Sequence, residues 1–345
     1  MKKILFLFSI AILLLCCTNK DIAFDDFAYQ TVYFPYQTPV RSLILGDEVE
    51  GDNSIDLEHA FSIGASIGGM YANTKDRVLT VAFAPELAAK ITDASGNPLS
   101  LLPSAYYQAT FDKIIIPAGS FFGKMRVNLT DAFFADPLTT GLRYVLPVRI
   151  TDAAGDSILS GAKISSVVSP DPRVAADWTI TPKNYVLFGI KYINPTHGVY
   201  LIRGKRTNIT AVPQVSVTYS TRFLDDNEMT KLTSKSLTEN YMPTVGGTNK
   251  EASNAKYSML LTFNKANKSV TVSQKSASTV VVSGTGKYFS KNDSGAEGYN
   301  GKKHRTIYLD YNYVDGASTY HVNDSLVFVD TDLKFEEFAV KVVTP

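Results

Sequence analysis

The sequence predicts an all-β protein, and three observations carry that prediction. Several segments alternate with period 2, the signature of strands whose successive side chains point to opposite faces; Lys124 to Leu129 reads Lys, Met, Arg, Val, Asn, Leu. Nineteen Tyr and nineteen Phe against one Trp favour pleated, half-buried surfaces. Helical periodicity is confined to short pieces, Pro85 to Ile91 and Asp131 to Ala135. At roughly 150 residues per domain, 345 residues allow two domains, each large enough to bury a core.

The first element is a leader. Lys2-Lys3 precede an apolar run from Ile4 to Leu15, interrupted only by Ser9. That run is shorter than the ~20 residues needed to span a bilayer and reads as a secretory signal. Cys16 and Cys17 close it, and no cysteine follows, so neither a disulfide framework nor a thiolate metal site is available downstream. A cysteine at the end of a leucine-rich run resembles a bacterial lipobox, in which the position before the cut is small. Cys16 is small and Leu15 is not, so Cys17 is the expected acylated residue, with 1–16 as signal peptide and 17–27 as tether. Each buried CH₂ of such an anchor contributes about 0.8 kcal/mol to membrane attachment. Lys20-Asp21 and Asp25-Asp26 resemble the surface-export signal of Bacteroidetes lipoproteins.

Residues 28–168 form the expected first domain. Strands are expected near Thr31–Phe34, His59–Ile67, Val78–Phe83, Tyr107–Phe111, Lys113–Ile116, Lys124–Leu129, Tyr144–Ile150 and Ala162–Val168. Short strands at this spacing predict an immunoglobulin-like β-sandwich. Ser169-Pro170-Asp171-Pro172-Arg173 removes backbone donors, so 169–177 is the expected linker, with Trp178 plugging the junction.

Residues 178–345 read as an antiparallel meander. Val215, Val217 and Tyr219 share one face; Ile307, Leu309, Tyr311 and Tyr313 share another and point inward. Further strands are expected at Val199–Lys205, Tyr257–Phe263, Ser269–Ser273, Thr279–Gly284, Leu326–Val329 and Phe338–Val343, with a hairpin loop at Asn264 to Lys268. Such a run closes into a lipocalin-like up-and-down barrel, which removes exposed edges, or folds as a second sandwich. Periodicity does not separate the two.

Two groups of residues resemble a known family. Leu101-Leu102-Pro103-Ser104-Ala105-Tyr106-Tyr107, Ile116-Pro117-Ala118-Gly119 and Tyr144-Val145-Leu146-Pro147-Val148 are similar to an N-terminal domain of Bacteroidetes surface lipoproteins. That domain also precedes glycoside hydrolase family 18 catalytic domains. The segment Gly301 to Tyr313 and Asp324 to Phe328 resemble the second domain of two-domain members. The resemblance implies the outer face of the outer membrane, near glycan-capture and transport proteins. It also implies an aromatic residue shortly before Gly301-Lys302, a place taken here by Tyr299.

Chemistry is sparse in the sequence. Formal charge is +1; without Lys2 and Lys3 it is 32 basic against 33 acidic residues, or −1, which lacks the footprint of a nucleic-acid binder. His59, His197, His304 and His321 form no metal-binding pair, and no Gly-x-Ser-x-Gly elbow occurs. No metal or cofactor and no enzymatic activity are expected. Asp225-Asp226-Asn227-Glu228 has oxygen ligands but no calcium-loop spacing and reads as a solvated turn. Gly284-Thr285-Gly286-Lys287 reads as a hairpin turn. Asp156-Ser157-Ile158 and Asp324-Ser325-Leu326 match a short O-glycosylation pattern of Bacteroidetes.

The expected function is non-catalytic glycan or glycoprotein binding at the cell surface within a nutrient-uptake system. Tyr299, in the Gly-rich loop Gly295 to Gly301, is the expected stacking face, and Asn300 the hydroxyl partner. Two alternatives remain: a pilin-like structural lipoprotein, cut after Arg41 to free a strand site, and a small-ligand carrier using a barrel cavity.

Overall fold

The structure is a computed structural model that describes residues 25–49, 51–247, 257–276, 278 and 280–343. Cys17, the signal segment and most of the tether lie outside the described residues. The fold is all-β, as expected. It comprises a sandwich followed by a closed barrel.

The sandwich strands are β1 (Thr31–Tyr33), β2 (Pro39–Ile44), β3 (Ala60–Gly68), β4 (Arg77–Phe83), β5 (Ile91–Thr92), β6 (Pro98–Leu101) and β7 (Tyr107–Gln108). They continue with β8 (Lys113–Ile116), β9 (Phe122–Leu129), β10 (Tyr144–Asp152), β11 (Ser157–Ile158), β12 (Ala162–Lys163), β13 (Trp178–Ile180) and β14 (Tyr185–Ile193). One sheet has the order β11-β1-β3-β9-β7; the facing sheet is built on β2-β14-β10, with β4 and β6 on the far edge of β10. Period-2 burial in β9 places Met125, Val127 and Leu129 in the core against Leu146, Val148 and Val186 of the facing sheet. The helix at Asp131–Ala135 forms as expected, and Pro85–Ala88 is a single 3₁₀ turn.

The expected domain boundary is displaced. Strand β14 pairs with β10 on one side and runs parallel to β2 on the other, so it is central to the sandwich. The stretch 169–177 packs on the same domain: Arg173 donates to the Leu87 and Ala89 carbonyls at 2.9 Å, and Tyr185 Oη donates to the Pro172 carbonyl at 2.7 Å. Trp178 Nε1 donates to the Asp171 carbonyl and β13 pairs with β12, so Trp178 sits away from the junction. The chain crosses to the second domain at Asn194 to His197.

The barrel strands are β15 (Gly198–Asn208), β16 (Val215–Tyr219), β17 (Glu228–Ser234), β18 (Glu239–Met242), β19 (Met259–Asn264), β20 (Ser269–Gln274) and β21 (Val281–Phe289). A short hairpin, β22 (Gly298–Tyr299) and β23 (Lys302–Lys303), precedes β24 (Thr306–Asp315) and β25 (Ser318–Asp330). The antiparallel order is β15-β17-β18-β19-β20-β21-β24-β25, β25 returns to pair with β15, and β22–β23 form a separate hairpin. The barrel alternative is therefore the observed one; closure of β25 on β15 joins the two ends of the sheet. β16 pairs along the second half of β15, beyond β17; Tyr219 packs on the barrel core, while Val215 and Val217 are exposed.

The lumen is filled by side chains, among them Tyr200, Leu261, Val272, Leu309, Tyr311 and Phe328. Among the described residues these side chains occupy the space that a lipocalin-type carrier uses for its ligand. Gly284 and Gly286 lie inside β21 between two partner strands, correcting the expected hairpin turn. A Cβ on Gly284 would stand 2.4 Å from the Asp310 carbonyl oxygen, so close strand approach is the reason for glycine there.

After the barrel the chain returns. β26 (Glu336–Glu337) pairs with β2 and β27 (Lys341–Val342) pairs with β5. Thr331 to Phe335 thereby bridges the two domains, and the expected strand Phe338–Val343 belongs to the sandwich.

Candidate functional site

The junction is built first by polar burial. Asn194, almost fully buried, donates through Nδ2 to the Ser236 and Glu239 carbonyls and to Asn240 Oδ1. Its own Oδ1 accepts from Thr196 and Asn240. His197 Nδ1 accepts from the Ser234 amide at 3.0 Å, and burial, with Lys231 and Arg305 nearby, lowers its pKa to about 4. The ring is neutral at pH 7.

Arg305 closes the base of the barrel. Its Nε donates to Tyr200 Oη at 2.9 Å and its guanidinium lies 3.9 Å from the Phe328 ring centroid. Its backbone amide donates to Glu48 Oε1 at 2.6 Å, from the sandwich. The guanidinium, which needs polar partners when buried, has Tyr200 and the His197 carbonyl from the barrel and Asp47, 3.8 Å away, from the sandwich.

Two neighbouring clefts open beside this junction, and Ile44, Leu333 and Lys334 line both. The first, about 420 Å³, lies at the sandwich edge and carries Tyr36, Phe122, Phe188 and Phe335. Pro35 and Pro39 bracket Tyr36 in the connection between β1 and β2, and the ring is 49% exposed; Phe335 is 64% exposed and packs on it at 4.7 Å. Phe122, the first residue of β9, packs its ring over Gly64 and is 41% exposed. The second cleft, about 660 Å³, is lined by Glu48, Lys291, Lys302, Lys303, His304 and the tail from Phe328 to Lys334. Together they form a groove with an aromatic end and a basic end.

The expected residues fall next to this groove rather than in it. Tyr299 is half-buried, stacks on His304 with ring centroids 4.2 Å apart, and donates to the Phe328 carbonyl at 3.2 Å. It therefore backs His304 instead of offering an open face. Asn300 is exposed at the tip of the β22–β23 hairpin with φ of 50°. Sequence reasoning missed Tyr36 and Phe335. The available signal was an aromatic between two prolines and one flanked by Lys334 and Glu336, positions with little local core to join.

Other expectations resolve locally. Arg41 and Ser42 lie in the middle of β2, paired along β14, and the Arg41 guanidinium is bound to the buried Asp56. The pilin-like cut after Arg41 has no accessible loop there. Asn227 caps the turn at Asp225–Asp226 by bonding the Phe223 and Leu224 carbonyls, which is a turn, as read. Asp324 points into the barrel and accepts from Tyr219 Oη and from Tyr311 Oη, the latter at 2.7 Å. Burial raises its pKa to about 6, against the two hydroxyl donors. Ser325 donates to Glu297, so neither residue of that pair is presented for glycosylation. Asp156 is engaged by Arg77, while Ser157 is exposed. Among the described residues no group of three or more His, Cys, Asp or Glu is placed to hold a metal, and no helix is long and apolar enough to cross a membrane.

Comparisons with known proteins follow the two-domain division. Residues 27–157 match a family of N-terminal domains, and residues 195–332 match a domain of unknown function, DUF5627. No curated protein matches the chain. A crystal structure of a protein of unknown function from Bacteroides ovatus superposes with a TM-score of 0.81 at 33% identity, covering 93% of this chain and 100% of that one. A multidomain protein including DUF1735, also from Bacteroides ovatus, gives 0.44 at 13% identity, covering 89% and 99%. An auxiliary nutrient binding protein from Bacteroides thetaiotaomicron gives 0.39 at 15% identity, covering 83% and 89%; neither of these two bears on function. The extent and identity of the first match decide the family: the chain belongs to an uncharacterised family of two-domain Bacteroides proteins, in which a β-sandwich is joined to a DUF5627 barrel.

Proposed function

We propose that this protein is a non-catalytic, lipid-anchored cell-surface protein that binds saccharide in the groove between its domains and serves an outer-membrane uptake system. The observation that carries this reading is the aromatic end of the groove. Tyr36, Phe122 and Phe335 hold partly exposed rings around one cleft, and exposed ring faces are the surfaces on which the C–H faces of pyranose rings stack. The anchor is Cys17. Tyr299 contributes by fixing the His304 ring rather than by touching sugar.

The test is calorimetry on the full chain in mild detergent against a panel of plant and host polysaccharides, with Tyr36→Ala and Phe335→Ala beside the wild type. At about 1 kcal/mol per aromatic contact, each variant weakens binding several-fold. Absence of any binder, or unchanged affinity in both variants, sinks the proposal. For the anchor, Cys17→Ala releases the protein from membranes or stalls its maturation; a mutant still membrane-bound and correctly processed rules the lipid out.

A further inference from the structure

The basic end of the groove says which saccharide. Four lysines reach the 660 Å³ cleft from three separate segments: Lys291 after β21, Lys302 and Lys303 on β23, and Lys334 on the returning tail. Among the described residues none of the four forms an ion pair. Lys291 Nζ donates to the Asp47 carbonyl at 2.9 Å, and Lys303 Nζ to the Asp293 and Ser294 carbonyls. Lys302 and Lys334 make no side-chain hydrogen bond among the described residues.

The acidic residues of the same cleft are otherwise engaged. Glu48 accepts from the Arg305 amide and lies 3.5 Å from His304 Nδ1. Asp332 is paired chiefly with Lys231 at 2.8 Å, from outside the cleft, and more weakly feels Lys334, while Asp330 accepts from the Asp332 amide at 2.6 Å. An ammonium has three donors, so Lys291 keeps two hydrogens to offer after its carbonyl bond and Lys303 one after its two. A site with several unpaired cations facing a partly enclosed volume attracts anions.

Resting on the saccharide reading above, we infer that the ligand is an acidic saccharide, with carboxylate or sulfate groups held by Lys291, Lys302, Lys303 and Lys334 while sugar rings stack at the aromatic end. The lysines come from the barrel and from the tail, so the anionic groups lie along the domain junction. His304, backed by Tyr299, stands among them.

Matched polymers test this: polygalacturonate against its methyl ester, and dextran sulfate against dextran, titrated into the full chain in neutral detergent. The acidic member of at least one pair binds, and its affinity falls as salt rises because exposed charges are screened. Lys302→Ala/Lys334→Ala weakens that binding roughly three- to tenfold, the range expected for two exposed charge contacts. The Lys302→Arg/Lys334→Arg protein retains it. Equal binding of neutral and acidic members, or an alanine variant with unchanged affinity for the acidic polymer, overturns the inference while leaving saccharide capture standing. If no polymer of either pair binds and the polysaccharide panel is also silent, both readings fall. Binding to phosphatidylglycerol vesicles without binding to any polymer makes the lysines a membrane-facing patch and also overturns it.

Discussion

The backbone amide of Arg305 and the carboxylate of Glu48 meet across the domain junction at 2.6 Å, so one residue of the barrel and one of the sandwich share a hydrogen bond at the barrel's closed end. Arg305 is 1% exposed and is held by Tyr200, the His197 carbonyl and the face of Phe328. Its removal leaves a cavity and unpaired acceptors together.

Arg305→Ala therefore destabilises the protein by about 3 kcal/mol or more, since truncating one member of a buried polar set costs both packing and hydrogen bonds. Glu48→Gln keeps an acceptor for the amide and costs less than about 1 kcal/mol. Urea unfolding of the two variants checks the contrast. Equal and small losses would show that the junction is held elsewhere.

Two buried groups oppose each other in pH dependence. The folded pKa of Asp324 is raised from 3.8 to about 6, so its stabilisation is fully present below the unfolded value and is lost as pH rises through 6. That of His197 is lowered from 6.5 to about 4, so its stabilisation is fully present above 6.5 and is lost as pH falls towards 4. Each amounts to roughly 3 kcal/mol at 1.36 kcal/mol per unit, with opposite signs over nearly the same window. Asp324→Asn removes one of the two. Relative to wild type it gains stability at pH 8, and the gap narrows below pH 5. Thermal melts across that range read it directly, and a gap independent of pH contradicts the assignment.

The position of β14 sets where the sandwich can be cut. A fragment of residues 25–193 retains the strand that lies between β2 and β10, whereas 25–177 lacks it. The shorter fragment exposes the inner edges of two strands, and buried apolar groups such as Val186 and Ile190 leave its core. Dispersed amide resonances are expected from the longer fragment alone. A folded 25–177 domain would show β14 to be dispensable.

Two glycines behave oppositely. Gly284→Ala puts a methyl 2.4 Å from the backbone of β24 and costs about 1–3 kcal/mol, the range for overpacking. Gly141 has no atom within 4 Å of an added Cβ and no positive φ, so Gly141→Ala is neutral or stabilising by up to about 1 kcal/mol. Denaturation midpoints separate the two.

Many strands of the second domain were legible because they bury one face, although the choice of barrel over sandwich was not: Ile307, Leu309, Tyr311 and Tyr313 alternate with exposed Asp310 and Asn312. β14 was not legible for the opposite reason. Tyr-Val-Leu-Phe-Gly-Ile-Lys-Tyr-Ile is buried along most of its length and shows no alternation, as expected of a central strand with a parallel neighbour. The two prolines at 170 and 172 then looked like a boundary, although Arg173 and Trp178 fasten that stretch to the first domain. β17 and β18 were also missed; polar Thr230, Ser234 and Asn240 turn inward there and blur the pattern.

For the site, the loop was found but its role was misjudged. A Gly-rich stretch around Tyr299 suggested an aromatic with nothing to pack on, yet a two-residue hairpin folds it onto His304. That partner is five residues away and adjacent only once β22 and β23 pair. The groove itself depends on Thr331 to Phe335 crossing between domains, and no local pattern announces a return of that kind.

The return has a further consequence. The barrel is an insertion, a guest placed between β14 and β26, and these two strands flank the same neighbour, β2. Entry and exit are thus clamped in one sheet, two strand spacings (about 10 Å) apart across it and four residues apart along β2, opposite Ile44 and Val40. A guest with two anchorage points cannot swing shut on a single pivot as hinged binding proteins do. Its groove has a set width, so if the proposed saccharide capture holds, discrimination falls to fit along a fixed track rather than to closure around the chain.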